Sequence, residues 1–252
     1  LPSVSNCRPL WATLKNASIM KIIILFIVLI TSCVSKSNQK EDDSYSYPRI
    51  FESAFENTKV NQENIEYSFY TLDIGKIKIE SGKIIVCDPI VMNEGVAFAD
   101  KFPVGEFNVQ LAMAKMGNDK RVAFSRIVFS NNKIENWEIA LLPNQKKISI
   151  NDPEIYCFGV DSGTGVFIDD STNNFYNKKY NAESDWEEVF VKKAEENNYT
   201  GYIHEFENHN FAVFSTGYGD GCYTTFIGYD ESGNICKLLV DFGIINWLDE
   251  KN

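Results

Sequence analysis

The chain of 252 residues is poor in the side chains that bind transition metals. It has two histidines, His204 and His209, and no two of its six cysteines have the Cys-x2-Cys spacing of zinc ligands. It also lacks a phosphate-binding glycine loop, a Gly-x-Ser-x-Gly elbow, a His-Glu-x-x-His helix and an EF-hand loop. The sequence therefore predicts no metal centre and none of these catalytic or nucleotide-binding motifs.

Basic residues are scarce as well. Against 35 Asp and Glu the chain has 24 Lys and Arg, which gives a formal net charge of −11. Residues 1–32 contain Arg8, Lys15 and Lys21 but no acid, so without them the net charge is −14. Such a surface repels phosphate backbones and anionic lipids, and no basic stripe interrupts it. We therefore expect no nucleic-acid partner.

The long hydrophobic run lies near the start of the chain. In "MKIIILFIVLITSC", Lys21 precedes the apolar residues 22–30, and the run is too short to span a membrane. This pattern is typical of a secretory signal peptide. The ending Ile-Thr-Ser-Cys resembles the lipobox of bacterial lipoproteins, which implies that Cys33 is acylated and becomes the new N-terminus. An ordinary signal peptide followed by a chance cysteine is the alternative.

The lipobox predicts how the chain is organised. We interpret residues 1–19 as upstream read-through, 20–32 as a lipoprotein signal peptide, 33–47 as a flexible polar tether and 48–252 as a single folded domain. The membrane partner is then the lipid anchor at Cys33, and the location is the bacterial cell envelope. Because Val34 is not the aspartate that favours inner-membrane retention, we expect the outer membrane. Residues 39–43 resemble a signal for the cell surface, or are a solvated charge run.

Short β-rich segments separated by turn residues dominate residues 48–252. They predict a mainly β (α+β) fold, a sandwich or barrel-like arrangement of antiparallel sheets with one or two peripheral helices. The predicted strands are "YSFYTL", "KIKIE", "KIIVC", "FNVQLAM", "RVAFSRIVF", "WEIALL", "YCFGV", "GVFID", "YIHEF", "FAVFS", "YTTFIGY" and "ICKLLVDF". One helix is expected in "RIFESAFEN" and a second in "SDWEEVFVKKAEEN", where Ser184 has the spacing of an N-cap.

Four cysteines remain for an oxidising compartment, Cys87, Cys157, Cys222 and Cys236. If "DESGN" closes a hairpin in which Tyr229 faces Ile235, Cys236 faces Gly228 and Cys222 faces Phe242. Cys222 and Cys236 are then not cross-strand partners. The pairing of the four cysteines otherwise stays open.

Aspartates beside glycines recur in the predicted turns and define the candidate functional loops. The first loop is "DSGTG", followed after one strand by Asp169, and the second is "GYGDG". If the first loop reverses the chain, Asp161 and Asp169 lie on neighbouring strands at the same end of a sheet, and the second loop can bring Asp220 beside them. The candidate residues are Asp161, Ser162, Gly163, Thr164, Gly165, Asp169, Gly217, Gly219, Asp220 and Gly221.

Two readings of these loops compete. Three gathered carboxylates suit acid–base chemistry or a Ca²⁺ ion, although we expect no cofactor. Alternatively, each aspartate caps its own turn, as Asp commonly does. The Asp-Ser-Gly-Thr tetrad at Asp161 is similar to that of aspartic proteases, but those enzymes need two such aspartates and the sequence has one tetrad.

The same motifs resemble the domain-of-unknown-function 4241 family. The similarity lies in "IGKIKIESGKIIVCDP", "RVAFSRIVFS", "WEIALLP", "GVDSGTGVFID", "FSTGYGDGCYTTFIGYD" and "LLVDFG", in this order. The resemblance implies a bacterial, β-rich single domain and no particular activity. Tyr223-Thr224 stands where the family has Tyr-Pro after the second loop.

Three function classes follow from the sequence. The first is a non-enzymatic binding or interaction module for another envelope protein or a glycan, which a lipid anchor and an acidic surface favour. The second is a carboxylate-dependent hydrolase that uses Asp161, Asp169 and Asp220. The third is an immunity or inhibitor protein against a basic toxin. A pocket that gathers the three aspartates would favour the hydrolase.

Overall fold

The computed structural model describes residues 48–152, 154–180 and 182–248. The predicted read-through, signal peptide, Cys33 and tether lie outside the described residues. Within the described ranges, no helix is long and apolar enough to cross a membrane.

The described residues form β strands joined by short loops and a few short helices. The strands are β1 (Lys59–Gln62), β2 (Ile65–Ile79), β3 (Ile84–Cys87), β4 (Gly105–Met116), β5 (Asp119–Val128), β6 (Asn136–Ile139), β7 (Phe158–Val160), β8 (Thr164–Asp169), β9 (Gly201–Phe206), β10 (His209–Ser215), β11 (Gly221–Tyr229) and β12 (Ile235–Asp241). The helices are α1 (Ile50–Ser53), α2 (Asp170–Lys179) and α3 (Lys193–Glu196), with a 3₁₀ segment (Pro89–Glu94) and a π-helical segment (Trp186–Lys192) that runs into α3.

The strands form two antiparallel sheets. The large sheet has the order β1-β2-β4-β5-β12-β11-β6. Strand β7 pairs with residues 221–223 of β11, which β6 does not reach. The small sheet has the order β3-β8-β10-β9. The prediction of a mainly β domain with antiparallel sheets is confirmed.

Apolar side chains pack on both faces of each sheet. Between the sheets, Val109 and Leu111 of β4 share one core with Phe167 and Phe214 of the small sheet. On the outer face of the large sheet, Phe51 of α1 contacts four aromatic rings, those of Phe124, Trp137, Phe226 and Trp247. On the outer face of the small sheet, the helical segments supply Tyr176 and Phe190. Because alternate strand residues point to opposite faces, this double packing explains the nearly continuous apolar runs of β8, β10 and β12.

The predicted strands agree with the structure apart from three details. The predicted "WEIALL" and "YCFGV" are longer than the strands found there, β6 and β7. The segments "YSFYTL" and "KIKIE" belong to one strand, β2, whose pairing with β4 shifts register between Asp73 and Gly75. Strand β1 is missing from the prediction because "KVNQ" is short and polar. It forms a hairpin with β2 across Glu63 and Asn64, which both have positive φ.

Helices are the less accurate part of the prediction. The first helix is confirmed but has only four residues, Ile50–Ser53. The second begins at Trp186, with Asp185 rather than Ser184 at the N-cap position and no side-chain cap bond. Helix α2 was not predicted, because its Ser, Thr and Asn residues favour caps and turns over helix interiors.

One disulfide, Cys157–Cys222, joins the segment before β7 to β11. The remaining two described cysteines, Cys87 and Cys236, are buried thiols. The predicted pairing of Tyr229 with Ile235 is confirmed, but a register shift places Lys237 rather than Cys236 opposite Gly228. The hairpin prediction was therefore wrong by one residue beyond its first pair, because sequence spacing alone does not show a bulge.

Candidate functional site

The two glycine loops of the sequence prediction come together in the structure. The Thr216 N–H donates a hydrogen bond of 3.1 Å to the carbonyl oxygen of Gly163. A Cβ placed on Gly163 would lie 3.5 Å from the Cα of Gly219, so the two backbones are in contact. The contact follows from pairing of β8 with β10, in which Thr164 is opposite Ser215.

Two of the three candidate aspartates also lie near each other. In the β7–β11 pair, Gly221 is opposite Val160. Continuing this register by one residue brings Asp220 opposite Asp161. Both side chains are exposed. They are therefore neighbouring solvated carboxylates at the open end of a strand pair.

Asp169 lies elsewhere, so the expectation that it shares a sheet end with Asp161 was wrong. Loop "DSGTG" does not reverse the chain into a neighbouring strand; it leads into β8, whose partners are β3 and β10. Asp169 is the last residue of β8, about 17 Å from Thr164 at roughly 3.4 Å per residue. It is fully buried and caps α2.

A buried aspartate that the sequence analysis missed supports the first glycine loop. Asp88 accepts hydrogen bonds of 2.8 Å from the backbone N–H groups of Asp161 and Ser162 through Oδ2, and one of 2.8 Å from Ile90 through Oδ1. Its side chain is 3% exposed. Its place after β3 and before Pro89 is typical of an N-cap followed by proline at the first helical position.

Among the described residues, these carboxylates are not part of a group that could hold a metal ion. Within residues 48–152, 154–180 and 182–248, no group of three or more His, Cys, Asp or Glu side chains is placed to hold a metal ion. Asp88 and Asp169 have their oxygens occupied by backbone and hydroxyl donors. They therefore serve as structural acceptors, whereas Asp161 and Asp220 face solvent.

A half-open cavity of about 990 Å³ lies against the glycine loops, and we name it the tyrosine cleft. Gly163, Gly217 and Gly219 of the predicted loops form part of its wall. The remaining wall comes from β2, β4 and β5 of the large sheet, from the turn between α3 and β9, and from the start of β9 and the end of β10. Four tyrosines line the cleft, namely Tyr70, Tyr199, Tyr202 and Tyr218.

Tyr199 is held at the cleft by a turn that is itself well hydrogen-bonded. Asn198 and Tyr199 both have positive φ, 52° and 53°, which is rare for residues with side chains and costly for a tyrosine. The Tyr199 N–H donates to the Ala194 carbonyl at 2.8 Å, and the Tyr199 carbonyl accepts from the Ser215 hydroxyl. The turn thus fixes the backbone, while Tyr199 as a residue is 62% exposed.

Tyr218 lies between two glycines of the second loop and is 61% exposed. The loop turns at Gly217, where φ is 54° and a Cβ would come within 2.9 Å of the Cβ of Phe242. Below the loop, the buried hydroxyl of Tyr223 donates to the carbonyl oxygens of Thr216 and Gly219 at 3.1 and 2.7 Å. Burial raises the pKa of Tyr223, which keeps this hydroxyl a donor.

Charges in the cleft are mixed and partly paired. The Arg121 guanidinium lies 5.4 Å from the centroid of the Tyr218 ring, and its Nε donates to Asp119 at 2.9 Å. That hydrogen bond lowers the pKa of Asp119. The five charged residues of the wall are Asp73, Asp119, Lys120, Arg121 and Glu196, so neither sign dominates.

The fold and the cleft define a class, a two-sheet β domain with an aromatic surface cavity at one end of its sheets. The family model described as "Protein of unknown function (DUF4241)" matches residues 77–240. The chain belongs to this family, as its motifs indicated. No curated protein and no solved structure matches it.

Sequence reasoning identified the glycine loops but not the tyrosines between and beside them. A signal was present for both missed rings. Tyr218 is flanked by glycines in "TGYGDG", and Tyr199 follows two asparagines in "NNYTG", a composition that favours left-handed turns. A large aromatic residue inside a turn has no core to enter, which makes it a candidate contact residue.

Proposed function

We propose that this protein is a non-enzymatic binding module that takes oligosaccharides in the tyrosine cleft. The observation that carries the proposal is the pair of rings, Tyr199 and Tyr218, exposed on separate turns of one half-open cavity. Each ring offers a flat apolar face for the C–H surface of a sugar ring. The Tyr218 hydroxyl donates to the sulfur of Met116 at 3.7 Å, a weak hydrogen bond that a sugar hydroxyl can replace.

The rest of the wall supports an uncharged polar ligand. Hydroxyl and amide side chains accompany the tyrosines, namely Asn197, Asn198, Thr200, Ser215 and Thr216. Asn197, Thr200, Ser215 and Thr216 already donate to backbone carbonyls, so these groups offer a ligand mainly their oxygens as hydrogen-bond acceptors. Because the charged residues of the cleft are of both signs, they favour neither an anionic nor a cationic ligand.

Calorimetric titration with neutral hexasaccharides of glucose and of N-acetylglucosamine tests this proposal. We expect saturable binding of at least one of them by the wild-type domain. Tyr199→Ala and Tyr218→Ala should each weaken binding by roughly tenfold, about 1.4 kcal/mol. Ile65→Ala is the matched control, because Ile65 is exposed but does not line the cleft. Equal affinity of all variants would exclude the cleft as the binding site. Absence of binding to both hexasaccharides would overturn the proposal for neutral oligomers of glucose and N-acetylglucosamine.

The hydrolase alternative has less support. It depended on Asp161, Asp169 and Asp220 acting together, and Asp169 lies buried at the opposite end of β8. The immunity or inhibitor alternative stays a prediction that depends on the acidic surface.

We further propose that the module is held at the bacterial cell envelope by lipid on Cys33, in the outer membrane and with access to the cell surface. The support is the lipobox-like "ITSC" in the sequence. Cys33→Ser should abolish acyl labelling and move the protein from the membrane fraction to the soluble fraction. Unchanged membrane association of this variant would contradict the anchor.

A further inference from the structure

A second cavity, separate from the tyrosine cleft, lies where the two sheets meet beside the disulfide. It has a volume of about 310 Å³, and we name it the apolar chamber. Val86 of β3, Phe98, Leu142 and Phe158 of β7 supply apolar wall, and β11 closes it with Tyr223 and Thr225. The volume is near the lower limit for small-molecule sites.

Thr225 supplies the chamber with an unused hydrogen-bonding group. It is 4% exposed and lines the chamber. In the described part of the chain its hydroxyl is one of four buried side-chain polar atoms that have no hydrogen-bond partner. A buried hydroxyl without a partner costs about 1–3 kcal/mol. Rotation of Thr225 about χ1 exchanges its methyl and hydroxyl branches, so the hydroxyl can serve a guest in the chamber.

The mouth of the chamber carries exposed apolar side chains. Val91 of the 3₁₀ segment and Val96 just after it both line the chamber, and they are 41% and 53% exposed. Exposed valines at a cavity mouth extend its apolar surface to the solvent and provide an entry path.

Charge and thiol chemistry narrow the class of guest. Glu94 also lines the chamber and opposes a carboxylate guest. Burial raises the pKa of the Cys87 thiol to about 12, and Cys157 is held in its disulfide, so neither wall cysteine is a thiolate nucleophile. Binding in the chamber is therefore non-covalent. Glu94 disfavours an anionic guest, and the apolar walls disfavour a charge of either sign.

We propose that the apolar chamber binds a short uncharged aliphatic molecule with one hydroxyl group, which hydrogen-bonds to Thr225. The apolar walls contact the aliphatic chain of the guest, and the hydroxyl of the guest supplies the missing hydrogen-bond partner of Thr225. Of the four buried unpartnered atoms among the described residues, the Thr225 hydroxyl is the one that belongs to the chamber wall. This site does not depend on the proposed function of the tyrosine cleft.

Titration of the folded domain with 1-hexanol, followed by NMR shifts of the valine methyl groups, tests the proposal. We expect saturable shifts at Val86, Val91 and Val96, and at least tenfold weaker binding of hexanoate because a charge is costly in an apolar site. Val96→Trp should block the mouth and abolish the shifts at Val86. Val104→Trp is the matched control, because Val104 is 60% exposed but does not line the chamber.

Two further variants test the role of the hydroxyl. Thr225→Val should weaken 1-hexanol binding by roughly three- to tenfold, the effect of one hydrogen bond, while Thr225→Ser keeps most of the affinity. Absence of saturable shifts in the wild type, or full binding by Val96→Trp, would overturn the chamber as a site. Equal binding by Thr225→Val and wild type would overturn the assigned hydrogen bond.

Discussion

The two ends of strand β8 are both stabilised by a buried carboxylate, but the carboxylate comes from a different place at each end. At the far end the strand supplies its own, Asp169, which accepts from the backbone of Glu80, Ser81 and Ser171. At the near end Asp161 is exposed, and its N–H donates to Asp88, 73 residues earlier in the chain. The side chain of Asp161, the motif residue that resembles a catalytic group, is thus not the buried acceptor that holds this end of the strand.

This difference shows how the role of an aspartate is identified. A carboxylate whose oxygens already accept several short hydrogen bonds serves the fold and has little capacity left for a ligand. An exposed carboxylate on a turn leaves its oxygens to solvent. The near end of β8 adjoins the tyrosine cleft through Gly163, so the binding that we propose there would depend on aromatic rings and backbone geometry.

The largest expected effect is at the far end. Asp169→Ala removes the acceptor of six hydrogen bonds, including those from the hydroxyls of Ser81 and Ser171, and leaves buried N–H groups without partners. We expect a loss of about 4 kcal/mol in the free energy of unfolding, measured by urea denaturation. Asp161→Ala is the control and should change it by less than about 0.5 kcal/mol. Similar losses for both would break the comparison between the ends.

The next effect concerns the disulfide near the Asp161 end. Cys157–Cys222 closes a loop with a sequence separation of 65, and both cysteines are exposed to reductant. The double variant Cys157→Ser, Cys222→Ser should lose about 3 kcal/mol of unfolding free energy. Dithiothreitol should lower the stability of the wild type but not of the variant.

Hydrogen exchange can localise the same effect. We expect faster exchange of backbone amides in β7 after reduction, and unchanged protection in the β3–β8 pair, because the bond joins β11 only to the segment before β7. Uniform loss of protection across both sheets would mean that the two ends of β8 are not independent.

A buried base on the small sheet gives the third effect. Burial, with a smaller contribution from Lys193, lowers the pKa of His204 to about 4. In the unfolded chain, where the histidine pKa is near 6.5, His204 binds a proton at a pH at which it stays neutral in the folded state. The contribution of His204 to the free energy of unfolding is therefore lost as the pH falls from 6.5 towards 4. We expect a loss of about 2 kcal/mol between pH 7 and pH 5 that is absent in His204→Gln.

Urea titrations at several pH values measure the free energy of unfolding of both proteins. The difference between wild type and variant, plotted against pH, has a slope that isolates His204 from the other titrating groups. An equal slope in wild type and His204→Gln would show that the ring of His204 is not held neutral among Phe206 and Phe211.

The strands were predictable because a buried strand leaves a local pattern. Runs such as "FAVFS" and "ICKLLVDF" are rich in apolar residues, and each lies in a strand whose ends are within two residues of the predicted ones. Helix α2 has no comparable apolar pattern in the sequence, since its buried residues include the polar Thr172 and Asn173. Asn173 is buried because its amide donates to the Met92 carbonyl, a partner 81 residues away.

Of the candidate site, only the close approach of the two glycine loops was predictable from the sequence. Glycines in "DSGTG" and "GYGDG" correctly indicated turns that come close together, because glycine permits positive φ and close approach. The side-chain roles were not predictable, since Asp88 acts on residues 73 and 74 positions later and Asp169 accepts from Glu80 and Ser81. Such pairings depend on sheet topology, which a single sequence leaves undetermined.

The smallest expected effect belongs to the exposed pair, Asp161 and Asp220. Like charges on opposite residues of a strand pair repel weakly, and the repulsion is screened by salt. Asp161→Asn and Asp220→Asn should therefore each leave the melting temperature unchanged or raise it slightly. The corresponding gain in the free energy of unfolding at low salt should be no more than about 0.5 kcal/mol. In 1 M salt the melting temperatures of the variants and the wild type should coincide, because the Debye length is then only about 3 Å.

The same variants decide whether a cation binds there. With two exposed carboxylates and no third ligand of the His, Cys, Asp or Glu type among the described residues, Ca²⁺ and Mg²⁺ should not raise the melting temperature of the wild type beyond the effect of equal ionic strength. A Ca²⁺-dependent increase that disappears in both Asn variants would contradict this. It would mean that backbone carbonyls of the two glycine loops complete a cation site, and Asp161 would then be a ligand rather than a solvated turn residue.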